Sequence, residues 1–488
     1  MNMNRLDRAI AAVSPRWAYK RAAWRRGMAV FDSGSVDRLS LNWNPQSGWD
    51  EQRVRMERER IRARAQDMER NSDIGKAILA AFQRGVIGEG LALQSKAEGG
   101  AADTIMRLWK EWTKAENCDV TAAQDFTEQL ETILTRRIFD GGVFIVKVYT
   151  DDPRFPFKMQ LRTVDELDTM LSTTNIEPVD GNEVIDGVEV NAHGKHVAYY
   201  FKKYKGTFQL QGESVRIPAE DVIFWHHKSD PRQVREISEL ATSLNRIKDV
   251  NEFLEAVNIK ERVLACLAVF IKKALPSGIS GRMNNLLKPT ENRYDGMSLE
   301  PAMIGELNPG DEVQTVIPSG QSSNTAQHVT TMLRLIGASV GLSYEAISRD
   351  LGNVTYSSAR QGVVEDRKTY KRYIRSLVNR VLTPIFHEFV ASQILVSALP
   401  VPPKADIDSI ANHAWIPSGS AWIDPTREVV ANKVALETSQ TTLARICAEN
   451  GEDWREVIEQ RAAERLLEQE LMKGGTEGVK KSNSGGAA

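Results

Sequence analysis

The chain has 488 residues, 41% of them hydrophobic and 26% charged, with a formal net charge of −2. That length holds roughly two to four packed units, and the near-zero charge excludes a protein that coats nucleic acid with a basic surface. Three widely spaced cysteines, Cys118, Cys266 and Cys447, exclude a disulfide framework and suit a reducing compartment. No apolar run approaches the ~20 residues needed to cross a bilayer. A cytosolic protein, or a particle assembled in the cytosol, is the expectation.

The first thirty residues combine Arg5, Arg8, Arg16, Lys20, Arg21, Arg25 and Arg26 with Trp17, Tyr19 and Trp24. Such an arm suits contact with phosphate, a membrane surface or a neighbouring subunit, although a solvated terminus is the plainer reading. Next comes a heavily charged predicted helix, continued by an apolar face of Ile74, Ala77, Ile78, Ala81 and Phe82. Gly85, Gly88 and Gly90 follow a helix rather than a strand, so they predict a turn and not a phosphate loop.

From Gly142 the pattern becomes β-rich, in "GVFIVKVYT", "PFKMQLRTV", "KHVAYYFKK" and "VRIPAEDVIFWHH". A single long helix is then predicted from Ile237 to Ile271, with Ile237, Leu240, Leu244, Ile247, Val250, Leu254 and Val257 on its apolar stripe. At ~1.5 Å per residue it would reach about 50 Å. Residues 275–324 are punctuated by Gly and Pro, with one expected strand, "EVQTVI".

Two further helices are predicted around the loop "DLGNVTYSSARQG". The first carries Val329, Met332, Leu333, Ile336 and Val340; the second carries Val364, Tyr370, Ile374, Leu377, Val378 and Val381 and runs up to Pro384. Ser357 and Ser358 invite comparison with a nucleophile. A nucleophile elbow, however, needs Gly-x-Ser-x-Gly after a buried strand. Ser358 stands three residues before Gln361, the spacing of a capping box, and capping is the preferred reading. Asp424, before Pro425, reads as the cap of the first of two C-terminal helices. The Gly/Ser-rich end, residues 474–488, is expected to be disordered.

No nucleotide-binding P-loop occurs. His226 and His227 are adjacent, so on a strand they face opposite ways and cannot share one metal. His193 and His196 flank a glycine turn without a ligand partner nearby. No catalytic, metal or cofactor constellation emerges.

The chain resembles the lambda-like portal family of tailed bacteriophages. The resemblance rests on "RARAQDMERNSDIGKAIL", "GVIGEGLALQS", "DGGVFIVKVY", "IPAEDVIFWHHKSDPRQVREISELATSL", "LNPGDEVQTVIPSGQSSN", "IGASVGLSYEAISRDLGNVTYSSARQGVVEDRKTY" and "WIDPTREVVANKVALETSQ". One departure is that Gln233-Val234-Arg235-Glu236 stands where members commonly read Gln-x-Arg-Gly. The resemblance implies an α+β portal fold and a dodecameric ring at one capsid vertex of the virion. Double-stranded DNA would pass through it without sequence preference.

By order along the chain, the resemblance implies a basic arm at 1–30, a wing at 31–232, a stem helix at 233–271 and a clip at 272–324. A second stem helix at 325–342 follows, then a tunnel loop and long wing helix at 343–400, and a crown at 401–473. Gly352, Asn353, Val354, Thr355, Tyr356 and Ser357 would form the loop facing DNA, with Ser358 and Gln361 capping the next helix. Ile237, Leu240, Leu244, Ile247 and Leu254 would pack the stem. Implied partners are further copies of the chain, terminase, a head–tail adaptor, and major capsid and scaffold proteins, with assembly in the host cytoplasm and no membrane. The alternatives are a DNA-packaging or DNA-processing enzyme and a cytosolic helical scaffold protein.

Overall fold

The computed structural model describes residues 12, 14, 51–97, 101–173, 181–205, 209–265, 269–272, 304–307, 325–350, 352, 356–399, 407–418, 425–450, 453–455, 457–466 and 468–469. The chain divides into two units, Met1–Glu51 and Gln52–Ala488. Apart from Glu51, the elements below belong to the second. Nearly all of the basic arm, most of the segment expected to form a clip, "EVQTVI" and the C-terminal tail lie outside the described residues.

Helix α1 spans Glu51–Asn71. Ser72 ends it and caps α2, Asp73–Phe82, its hydroxyl accepting from the Gly75 N–H at 3.3 Å. Gly75 is required there, because a Cβ would lie 2.4 Å from the Met68 carbonyl oxygen. A π-type turn, Gln83–Ile87, leads to Gly88 at φ +58, which fulfils the expected glycine turn. Strand β1, Ala92–Ser95, follows.

Three helices come next: α3 (Ala101–Trp112), α4 (Ala115–Cys118) and α5 (Phe126–Phe139), the last opened by an Asp125–Glu128 capping box. Trp109 and Trp112 of α3 anchor the larger core. Their rings meet Phe126, and Trp112 also stacks on Phe157 at 5.6 Å.

Two antiparallel sheets occupy the β-rich region. One holds β2 (Gly142–Tyr149) between β3 (Phe157–Arg162) and β8 (Val222–His226). The other is a meander of β4 (Glu183–Ile185), β5 (Val188–Val190), β6 (His196–Lys205) and β7 (Gln209–Pro218). Phe144, Phe201 and Phe224 fill a second, smaller core between them. "VRIPAEDVIFWHH" divides between β7 and β8, because Pro218 ends the ladder and a 3-10 turn at Ala219–Asp221 reverses the chain.

The single helix expected from Ile237 to Ile271 is corrected. Helix α6 runs from Leu244 to Ala265, and residues 233–243 form a buried non-helical approach to it. Its 22 residues span about 33 Å rather than 50 Å. Beyond it, β9 (Val269–Lys272) pairs in parallel with β10 (Ile304–Leu307).

Helix α7 (Thr325–Val340), a short α8 (Tyr344–Ser348) and α9 (Tyr356–Leu377) follow. The helix expected to stop at Pro384 continues. A π-type turn at Val378–Leu382 leads into α10, Thr383–Leu395, so Pro384 falls in the first turn, where its missing N–H costs little. The chain closes with α11 (Ile407–Ile410), β11 (His413–Ile416), α12 (Pro425–Glu437) and α13 (Leu443–Glu449). Strand β11 returns to pair with β1, Ala92 opposite Ile416. No helix among the described residues is long and apolar enough to cross a membrane.

Candidate functional site

The segment between α7 and α9 is built to hold a short loop on a rigid base. Gly341, at φ +76, ends α7. The Leu342 N–H reaches back to the Gly337 carbonyl at 2.9 Å and the Gly341 N–H to that of Ala338 at 3.3 Å, the paired closure of a Schellman motif. A Cβ on Gly337 would sit 2.6 Å from the Leu342 carbonyl oxygen, so two glycines allow the chain to double back.

Ser343 then caps α8, accepting from the Ala346 N–H at 3.2 Å. Its hydroxyl and N–H both donate to buried Asp366 of α9, at 2.6 and 2.7 Å, and Thr369 donates to the Gly341 carbonyl at 2.7 Å. Burial pushes the Asp366 carboxyl above its ordinary range, against the two bonds from Ser343. The far side is tied by Asp350, which accepts from Gly352 N–H at 3.0 Å and from the Tyr344 hydroxyl at 3.2 Å.

Gly352 is in a turn, and Asn353, Val354 and Thr355 lie outside the described residues. Two expectations change here. Helix α9 already includes Tyr356, Ser357 and Ser358, so none of the three is in the loop and Ser358 is not at the cap position. Gln361 turns forward, its amide donating to Glu365 at 3.2 Å.

The apolar residues of α6, expected stem residues among them, separate into two groups. Leu244, Ile247 and Val250 are buried at the start of α6. Leu254 and Ile259 are 37% and 52% exposed in the lone subunit. Helix α7 lies beside α6, with the Phe253 and His328 rings 5.1 Å apart. Ile237 and Leu240 belong to the approach segment, not to the helix; Leu240 is buried and Ile237 half-buried. That segment crosses directly over Gly141, where a Cβ would stand 2.3 Å from the Ile237 carbonyl group and φ is +89. Ser238 donates to the Ile138 carbonyl at 3.3 Å, and Arg137 meets Glu239 at 2.7 Å. These contacts hold residues 237–243 out of the helix that their spacing predicts.

Sequence reasoning missed a ladder of buried charge beneath the same segment. Arg55, Arg58 and Arg62 stand at i, i+3 and i+7 on one face of α1, and Arg58 and Arg62 are buried. Arg58 meets Asp186 at 2.9 Å and donates to the Glu236 main-chain oxygen at 3.1 Å. Arg62 bridges Glu236 at 3.1 Å and Asp165 at 2.6 Å. Arg235 grips the Glu236 carboxylate through two bonds of 2.8 and 2.9 Å and donates to the Asp186 carbonyl at 2.7 Å.

Burial alone would raise the Glu236 carboxyl, but Arg235, then Arg58 and Arg62, overcome it and hold it at about 2. Burial wins at Asp186, whose carboxyl is pushed up despite Arg58 and Arg55. The departure at Glu236 thus supplies an ion-pair partner, and Glu236 is not among the positive-φ residues described, so no glycine is needed there. The available signal was the arginine spacing beside Ala65, which is also fully buried.

His226 faces inward and His227 outward, as alternation on a strand requires. The fold brings His196 against His226, rings 5.8 Å apart and nearly parallel. Burial lowers His226 to about 3 and His196 to about 4, so the pair is neutral packing at ordinary pH. Among the described residues no three His, Cys, Asp or Glu side chains gather as a metal site.

Residues 37–373 match the family described as phage portal protein, lambda family. A probable portal protein of Halomonas phage phiHAP-1 is 26% identical over 455 residues, covering 88% of this chain and 85% of its own. Portal protein B of Escherichia phage lambda is 22% identical, with 87% of each chain covered. Among solved structures, the neck of a native gene transfer agent particle, computed with C12 symmetry, aligns at 13% identity and a TM-score of 0.40, over 78% of this chain and 90% of that one.

Proposed function

This chain belongs to the lambda family of phage portal proteins, a structural rather than enzymatic family, and from that premise we propose that twelve copies close into a ring at one capsid vertex of a virion. Double-stranded DNA passes through the ring during packaging and leaves by it at infection. The geometry between Val340 and Tyr356 carries this reading: a short loop held by Gly341, Ser343 and Asp366 at one end and Asp350 at the other. Small polar residues such as Asn353 and Thr355 suit a surface that brushes a moving phosphate backbone without gripping it.

The stem comprises α6 and α7, and their side-by-side packing supports a helical wall. Twelve helices spaced by ~10 Å give a circumference near 120 Å and a centre-line diameter of roughly 38 Å. Removing one helix diameter of ~10–12 Å leaves a bore of about 27 Å, wide enough for a B-form duplex. The parallel pair β9–β10 brackets the clip, where terminase docks first and the head–tail adaptor later. The two sheets and the first helices form the wing, and α12 and α13 contribute to the crown.

Electron microscopy of the purified chain tests this reading. A ring with a central hole that supports terminase-driven packaging into capsids is expected. A chain that stays monomeric, or forms rings that capsids incorporate without packaging DNA, sinks it.

A further inference from the structure

Helix α9 carries a charge pattern that the loop's role does not use. From Arg367 to His387 the sequence contains six basic residues, Arg367, Lys368, Lys371, Arg372, Arg375 and Arg380, and no carboxylate. Lys368, Lys371, Arg372 and Arg375 recur at helical spacing and are all exposed, whereas Tyr373 and Leu377 on the other side are buried. Lys368 has one exposed partner, Glu365, at 2.8 Å. Lys371, Arg372 and Arg375 have no carboxylate within salt-bridge distance among the described residues. Arg372 lies over the Tyr373 ring at 5.4 Å.

We propose that this stripe is a second DNA surface, separate from the channel loop, which holds the phosphate backbone of duplex DNA that is not threaded through the ring. The argument rests on the portal reading for the presence of DNA, and on charge complementarity for the contact. Duplex DNA offers a phosphate every ~3.4 Å along each strand. Four cations along one helix face, with no interleaved acid beyond Lys368, match such a line of charge.

The distance from the loop matters too. At ~1.5 Å per residue the stripe begins about 18 Å along the axis from Tyr356 and ends near 29 Å. A residue that holds phosphate impedes sliding, so a gripping stripe serves DNA that rests beside the ring, while the near-neutral loop serves DNA that moves. An acidic protein would instead ask for apolar anchors among the charges. Within Lys368–Arg375 the exposed positions are all basic.

Closed circular duplex DNA is the appropriate probe, because it cannot thread a preformed ring. Wild-type rings are titrated with it between 50 and 200 mM salt, beside rings carrying Lys368→Gln, Lys371→Gln, Arg372→Gln and Arg375→Gln together. Each phosphate contact contributes ~0.9 to the log–log salt slope, so four contacts amount to roughly a hundredfold change over that range. The quadruple variant should lose most of that slope and bind correspondingly weakly at low salt. A charge-preserving set, Lys368→Arg, Lys371→Arg, Arg372→Lys and Arg375→Lys, should bind as the wild type does.

Unchanged affinity and slope in the quadruple variant overturn the proposal. So does a variant that binds circular DNA normally but no longer captures an acidic protein partner, or one that fails to form rings while the charge-preserving set assembles. If the wild-type chain forms no ring at all, the portal reading fails separately, and the same titration on the soluble subunit still reads the stripe.

Discussion

Glu236 is fully buried, and its carboxylate answers two guanidinium groups, Arg235 and Arg62, while Arg58 donates to its main-chain oxygen. A buried ion pair contributes little net stability against an apolar replacement, but removing one partner strands the others. Glu236→Ala should therefore cost about 3–5 kcal/mol, read by denaturant unfolding, with Arg62→Ala similarly damaging. Acid should act on the same group. The folded carboxyl, at about 2, lies below its usual 4.5. Its contribution, on the order of 3 kcal/mol, is full above the unfolded value and is lost as pH falls toward 2. Asp186, pushed up by burial, acts in the opposite sense: its ionisation costs stability as pH rises past its unfolded value. Melting temperature should fall from pH 5 to pH 3, more steeply in the wild type than in Glu236→Gln. Equal acid slopes in the two proteins would contradict the assignment.

At the scale of the element, helix existence was legible from apolar periodicity, and helix limits were not. Ile237, Leu240 and Leu244 keep helical spacing, yet only Leu244 begins a helix, because the close crossing at Gly141 and the Arg137–Glu239 pair hold the preceding turn. Those constraints come from residues about a hundred positions upstream, which no local pattern contains. The same reason hid the inward face of α1, a heavily charged helix by sequence, whose arginines meet Asp186 and Glu236 from elsewhere in the chain. The loop was legible as a break between two helices, but its supports were not: Asp366 looks like one charge in a charged helix until Ser343 meets it. On α6 burial falls from Leu244 to Leu254, and on the proposed reading that gradient separates folding from assembly. Leu244→Asp would bury an unpaired charge and cost several kcal/mol of subunit stability. Leu254→Asp, at a position 37% exposed, should leave the subunit melting temperature within about 1 °C, as expected for a surface change worth under ±0.5 kcal/mol. It should nevertheless reduce ring formation in light scattering. Intact rings from Leu254→Asp would mean that this face of α6 is not a subunit contact.

At the scale of the whole molecule, a net charge of −2 in 488 residues sits uneasily with a protein that binds DNA tightly and suits one that lets DNA slide. On the proposed reading, the basic residues of α9 hold DNA and the near-neutral loop before that helix lets it move. Adding charge at the loop should therefore hurt motion while leaving assembly alone. Asn353→Lys with Thr355→Lys in every subunit of a twelve-membered ring places about 24 new cations beside a threaded duplex, each engaged phosphate steepening the salt dependence of binding by ~0.9. The Ser343–Asp366 and Asp350–Gly352 supports are made by other residues and keep their partners, so rings should assemble normally. Packaging velocity should drop at low salt and recover partly as salt rises, because added counterions weaken the new grip. Ser357→Ala serves as the control. Ser357 belongs to the first turn of α9 and no chemistry is asked of it, so packaging should be nearly unchanged. Assembled Ser357→Ala rings that package no DNA would overturn the view that this segment is a contact surface without catalysis.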